Sequence, residues 1–133
     1  VRVVAAAGQQ APGTPAGVVF RDLSATTQSA FWTELNNQGR VAFTSLLDAP
    51  GGIGGPLLGT NNTAAFSERA GEELALVARR GDVAPVSEEA ALFNTISGTN
   101  ERFHFNNAGQ VAFVSNFRPI GAAVGGPRAL LEA

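Results

Sequence analysis

The chain has 133 residues, of which 44% are hydrophobic and only 15% charged, with a formal charge of −2. That is too apolar for a disordered chain and too interrupted for a spanning helix, and it lacks the basic surplus that nucleic-acid binding requires. All nine basic residues are Arg and there is no Cys, so a disulfide frame, a thiolate nucleophile and a Cys-type zinc site are excluded.

In chain order, residues 1–7 read as an edge strand and residues 18–23 as a second extended segment. Residues 31–36 form a short strand that enters a tight turn, Asn-Asn-Gln-Gly at 36–39. Asn tolerates left-handed backbone and Gly supplies the positive φ, so this turn closes a hairpin onto residues 39–47. In that strand Val41, Phe43 and Leu47 fall on one face, with Arg40, Ala42 and Thr44 on the other. A Gly/Pro-rich loop follows at 49–62, then a strand at 64–69. Gly71 and the pair Glu72 and Glu73 make the turn into a strand at 74–80. Residues 88–92 suffice for one helical turn at most. Extended segments at 92–96 and 102–106 lead to a second Asn-Asn-x-Gly turn. The strand after it puts Val111, Phe113 and Phe117 on one face and Gln110, Ala112 and Val114 on the other. A loop at 119–127 and a last strand at 129–132 complete the chain.

The order of these elements is that of a repeat. Eight residues, 36–43, return 70 positions later with six of the eight identical. Residues 3–12 resemble residues 76–85, 73 positions later, both carrying the Val-Ala-x-x-Gly-x-x-Ala-Pro segment. A third pair sets residues 54–56 and 64–68 against 125–127 and 129–132. Copies spanning residues 1–73 and 74–133 result, the first starting on a permuted edge strand. The expected fold is all-β, with two antiparallel sheets of about four strands each, blade-like or packed as a β-sandwich.

The motif Asn-x-x-Gly-x-x-Ala-Phe stands at Asn36, Gly39, Ala42 and Phe43, and again at Asn106, Gly109, Ala112 and Phe113. With the Val-Ala-x-x-Gly-x-x-Ala-Pro segment, it resembles the bacterial tandem-repeat family named for its NxxGxxAF motif. The resemblance implies a repeat architecture and an exported protein at the cell surface, and it implies no catalytic residues. The N-terminus has no signal-peptide layout. A chain that starts at Val1 and holds no Met reads as a processed piece of a longer product.

No catalytic, cofactor or metal site emerges. His104 is the only histidine and its repeat counterpart is Glu34, which marks a solvent or interface position. One His without a second His or Cys builds no zinc site. The acidic residues form no D-x-D-x-D-G calcium loop. The Gly-rich run 51–55 lacks the Lys-Ser/Thr and the strand–turn–helix setting of a phosphate loop. Trp32 is a candidate ligand-stacking or interface aromatic, and Asn61 begins an N-glycosylation sequon. Positions kept in both copies are turn and core types, whereas polar positions vary, which marks a building block more than a catalyst.

The permuted boundary is the functional clue. Val1, Val3, Val4 and Ala5 belong to a strand whose repeat partner would be the strand holding Ala129, Leu130 and Leu131. That strand either folds back within one chain or adds to another copy. The leading expectation is a non-enzymatic extracellular structural module that self-associates through this edge, as a filament or surface-layer subunit. The alternative is a fragment of a β-propeller-like domain that binds glycan or protein through its loops. Neither reading involves nucleic acid or membrane insertion.

Overall fold

The computed structural model describes residues 1–21, 23, 32–52, 62–71, 73–85, 91–96 and 103–120, and the backbone of 128–132. The sequon residue Asn61, residues 88–90 of the single turn expected at 88–92 and the Gly-Gly-Pro pair of the repeat lie outside them, as do the side chains of Ala129, Leu130 and Leu131, whereas Ala91 and Leu92 are strand, not helix.

The fold is all-β. Among the described residues ten strands run in chain order as β1 (Val19–Phe20), β2 (Thr33–Leu35), β3 (Val41–Asp48), β4 (Thr63–Glu68), β5 (Leu74–Arg79), β6 (Val83–Ala84), β7 (Ala91–Phe93), β8 (His104–Phe105), β9 (Val111–Pro119) and β10 (Arg128–Glu132). They form two antiparallel five-stranded sheets. The first runs β1-β3-β4-β5 and the second β6-β7-β9-β10, with β2 and β8 pairing the N-terminal halves of β3 and β9. The repeat therefore yields one strand more per sheet than its sequence pattern alone suggests.

The two sheets share the register of their common strands. Phe20 pairs with Leu47 as Phe93 pairs with Phe117, and the Gln10–Val19 bridge corresponds to Val83 opposite Leu92. The Gly8 N–H donates to the Phe20 carbonyl at 2.7 Å, and the Gly81 N–H to the Phe93 carbonyl at 2.8 Å. In both hairpins the Asn side-chain oxygen accepts a backbone N–H four residues on, from Arg40 and from Gln110, each at 3.0 Å. The motif Asn is thus a turn lock: its amide oxygen binds the backbone that the tight turn leaves without a ladder partner.

Residues 74–79, which open the second sequence copy, pair with β4 and so complete the first sheet. A bulge between Ala65 and Phe66 leaves Val77 as the extra residue of β5. It lets Leu76 keep one face while Val77 and Ala78 both turn to the other.

Each sheet has an aromatic face and a small-residue face, and one junction joins them. Ala42, Ala65 and Ala78 from the first sheet pack on Phe93, Phe103, Phe105, Phe113 and Phe117 of the second. Alanines let the second sheet approach closely enough for the phenylalanines to fill the gap. The other face of the first sheet carries Phe20, Phe43, Leu47 and Phe66, with Phe20 and Phe66 in edge-to-face contact at 5.0 Å. Burial of each such ring stabilises the fold by roughly 2–3 kcal/mol. Covered on both sides, β4 is buried along nearly its whole length. By contrast β9 alternates buried and half-buried residues, because only its aromatic face is covered.

Candidate self-association site

The N-terminal arm, residues 1–6, differs from expectation: among the described residues it holds no strand pairing. It nonetheless enters the turn that β5 enters. The Gln9 N–H donates to the Ala6 carbonyl at 3.1 Å, as the Asp82 N–H does to Arg79 at 3.1 Å. Its side chains also repeat those of β5. Val4 and Ala5 pack on the aromatic face of the first sheet, as their counterparts Val77 and Ala78 pack on that of the second. The arm thus lies where the last strand of a preceding sheet would lie. The first sheet stands between it and the second, so its backbone does not close β10 within the chain. Extended backbone becomes a strand only against a partner ladder, and none is offered on that face.

One ion pair fixes the arm. The Arg2 guanidinium binds the Glu68 carboxylate, with one contact at 3.0 Å, and donates to the Gly39 carbonyl at 3.0 Å. Glu68 is 1% exposed and also accepts the Val41 N–H at 2.8 Å. The Arg2 hydrogen bond lowers the Glu68 pKa below its ordinary value against the opposite pull of burial, with help from Val41 and from the charges of Arg2 and Arg40. Beyond the ion pair, Val1 and Val3 are exposed and Val4 and Ala5 half-buried. Beside the arm a groove of about 730 Å³ runs over Leu35, Val41 and Phe43.

At the far end of the molecule, β10 carries Ala129, Leu130 and Leu131 and pairs with β9 alone among the described residues. Its counterpart β4 pairs on both sides, with β3 and with β5. The two halves of the proposed edge contact are therefore well separated in one chain.

Trp32 and His104 both lie near the junction between the sheets. Trp32 packs on Phe103 at 4.8 Å between ring centroids. His104 is exposed and shares a groove of about 450 Å³ with Glu34, its repeat counterpart. The Glu34 carboxylate accepts the Phe105 N–H across the junction. The Asn36 amide donates to the Asn106 carbonyl at 3.0 Å, and Arg40 to the Asn107 carbonyl at 2.6 Å. Among the described residues no cluster of three or more His, Asp or Glu could hold a metal, and no helix is long and apolar enough to cross a membrane.

Sequence reasoning missed Arg2, Glu68 and Leu35. The buried Glu68 gives no local signal, because its desolvation depends on which strand lies over it. The unequal faces were legible, since Ala42 and Phe43 alternate in the sequence, but their pairing across sheets was not.

These features define an all-β repeat module of two stacked antiparallel sheets. A family model described as a family of unknown function, DUF7453, matches residues 1–128, and the chain belongs to that family. No curated protein and no solved structure matches it.

Proposed function

We propose that this chain is a non-enzymatic structural module that joins copies of itself head to tail, the arm of one copy adding as a strand to β10 of the next. The observation that carries this reading is the unequal treatment of two equivalent strands: among the described residues β4 is paired on both edges and β10 on one. The strand that fills the second edge of β4 is β5, and the arm is its counterpart in sequence and in turn geometry. Transferred through the repeat, the β4–β5 register sets Ala129 opposite Ala6, Leu130 opposite Ala5, Leu131 opposite Val3 and Glu132 opposite Arg2. Those four pairs give a ladder one pair shorter than that of β4 and β5 and cover an exposed edge. Head-to-tail contacts of this kind generate rings or filaments. Placement outside the cell, as a surface-layer or fibre subunit, rests on the resemblance of the repeat motif to exported proteins and on the Cys-free composition.

The test is light scattering and negative-stain microscopy at rising concentration, on the intact chain and on a variant lacking residues 1–6. Oligomers that grow with concentration and vanish in the deletion support the reading. A free peptide with the sequence of residues 1–7 should cap β10 and shorten the assemblies of the intact chain without changing its fold. A strict monomer at every concentration, or oligomers indifferent to both deletion and peptide, would refute it.

A further inference from the structure

We infer that the groove over the aromatic face of the first sheet is the seat for the small-residue face of the second sheet of another copy, packed as the two sheets pack within one chain. The inference rests on the self-association reading and adds a second contact to it, face on face rather than edge on edge.

The internal junction is the template. Three residues that it covers, Phe105, Ala42 and Thr44, have more open counterparts, whereas Phe20, Phe43 and Leu47 are as buried as their counterparts Phe93, Phe113 and Phe117. Phe105 is 8% exposed under the first sheet, whereas its counterpart Leu35 is 69% exposed beside the groove. Ala42 is fully buried against the second sheet, whereas its counterpart Ala112, on the far face of that sheet, is half-buried. The same contrast separates Thr44, at 1%, from its half-buried counterpart Val114. Matching seats, one aromatic and one small, are thus left at opposite ends of the molecule.

The arm already holds one strand's share of the missing cover, since Val4 and Ala5 occupy on Phe43 and Phe66 the places of Val77 and Ala78 on the second sheet. The groove next to Val4 and Ala5 is the space that the preceding strands would fill. A second copy that adds its β10 to the arm brings its own β9, with Ala112 and Val114, over that groove. One rigid placement therefore makes both contacts, and it repeats the step that relates the two sheets of one chain.

The polar rim follows by the same substitution. Glu34 accepts the Phe105 N–H at the internal junction, so His104 of one copy faces Leu35 of the next. Asn106 stands to Asn36 of the next copy as Asn36 stands to Asn106 within the chain. Gln110 replaces Arg40 and His104 replaces Glu34, which removes the charge-assisted bonds of the internal junction. The junction between copies is accordingly the weaker of the two, and assemblies dissociate before the sheets of one chain part.

The chain has no cysteine, which makes crosslinking clean. Leu35→Cys and His104→Cys variants, each at an exposed position, are mixed and treated with a short bismaleimide while oligomer size is followed in parallel. The expected result is a covalent dimer in the mixture at least several-fold above that of either variant alone, lost when Ala112→Arg is added to the His104→Cys chain. Oligomers that form without this mixed crosslink would overturn the face-to-face seat while leaving strand addition standing. A mixed crosslink that persists after deletion of residues 1–6 would support the seat and refute strand addition. Absence of both crosslink and oligomers would overturn the two together.

Discussion

Asn36 and Asn106 occupy the same position of the same turn, yet their replacement by Ala should cost very different amounts. The Asn36 side-chain oxygen accepts the Gln38 and Arg40 N–H groups, each at 3.0 Å, and its amide donates to the Asn106 carbonyl across the junction. The residue is 7% exposed, so water does not readily replace these partners. Asn106 is exposed; its oxygen accepts the Gln110 N–H and its amide donates to the Gln110 side chain. At about 1 kcal/mol net per bond, Asn36→Ala loses about 3 kcal/mol. Asn106→Ala loses about 1 kcal/mol, because solvent takes over its partners. With a urea slope of about 2 kcal/mol per M, the midpoints fall by about 1.5 M and 0.5 M respectively. Trp32 is the only tryptophan and packs on Phe103 across the junction, so its fluorescence reports the event directly. The measurement belongs at a dilution where the chain is monomeric. Equal losses, or a larger loss for Asn106→Ala, would refute the claim that the first turn stitches the two sheets together.

The two motif glycines form a second internal control. Gly39 has φ 74° and nothing within 4 Å of an added Cβ, so Gly39→Ala should cost only the left-handed backbone, about 1–2 kcal/mol. In Gly109→Ala, at φ 86°, the new Cβ would stand 2.9 Å from the Arg40 guanidinium and loosen its bond to Asn107, adding about 1 kcal/mol. Urea melts should show that excess disappear in an Arg40→Ala background; an excess that survives there would refute the contact. The Arg2–Glu68 pair predicts a pH effect. Because folding lowers the Glu68 pKa, its contribution is present above the ordinary value of 4.5 and is lost as pH falls through the lower folded value. Arg2→Gln should reduce stability at pH 7 and flatten the loss as pH falls below the ordinary value of 4.5, followed by urea midpoints. An unchanged acid loss in the variant would show that the pair does not anchor the arm.

The repeat, the two hairpins and the division of each long strand into faces are legible in the order of residues alone. All three are local: Asn-Asn-x-Gly selects a tight turn, and Val41, Ala42 and Phe43 alternate because successive residues of a strand point opposite ways. Which strands and faces become partners depends on packing between distant segments. Residues 74–79 and residues 1–6 share a pattern, yet the first became β5 and the second an arm with no strand pairing among the described residues. The difference is whether a β4-type edge stands within reach, which no local pattern encodes. Likewise the alternation on β9 is as regular as that on β3, but only packing shows that β3 is buried along most of both faces and β9 on one. Burial is a long-range property, set by which sheet lies over which face. The candidate assembly surface follows from it: an edge and a face whose repeat counterparts are covered within the chain.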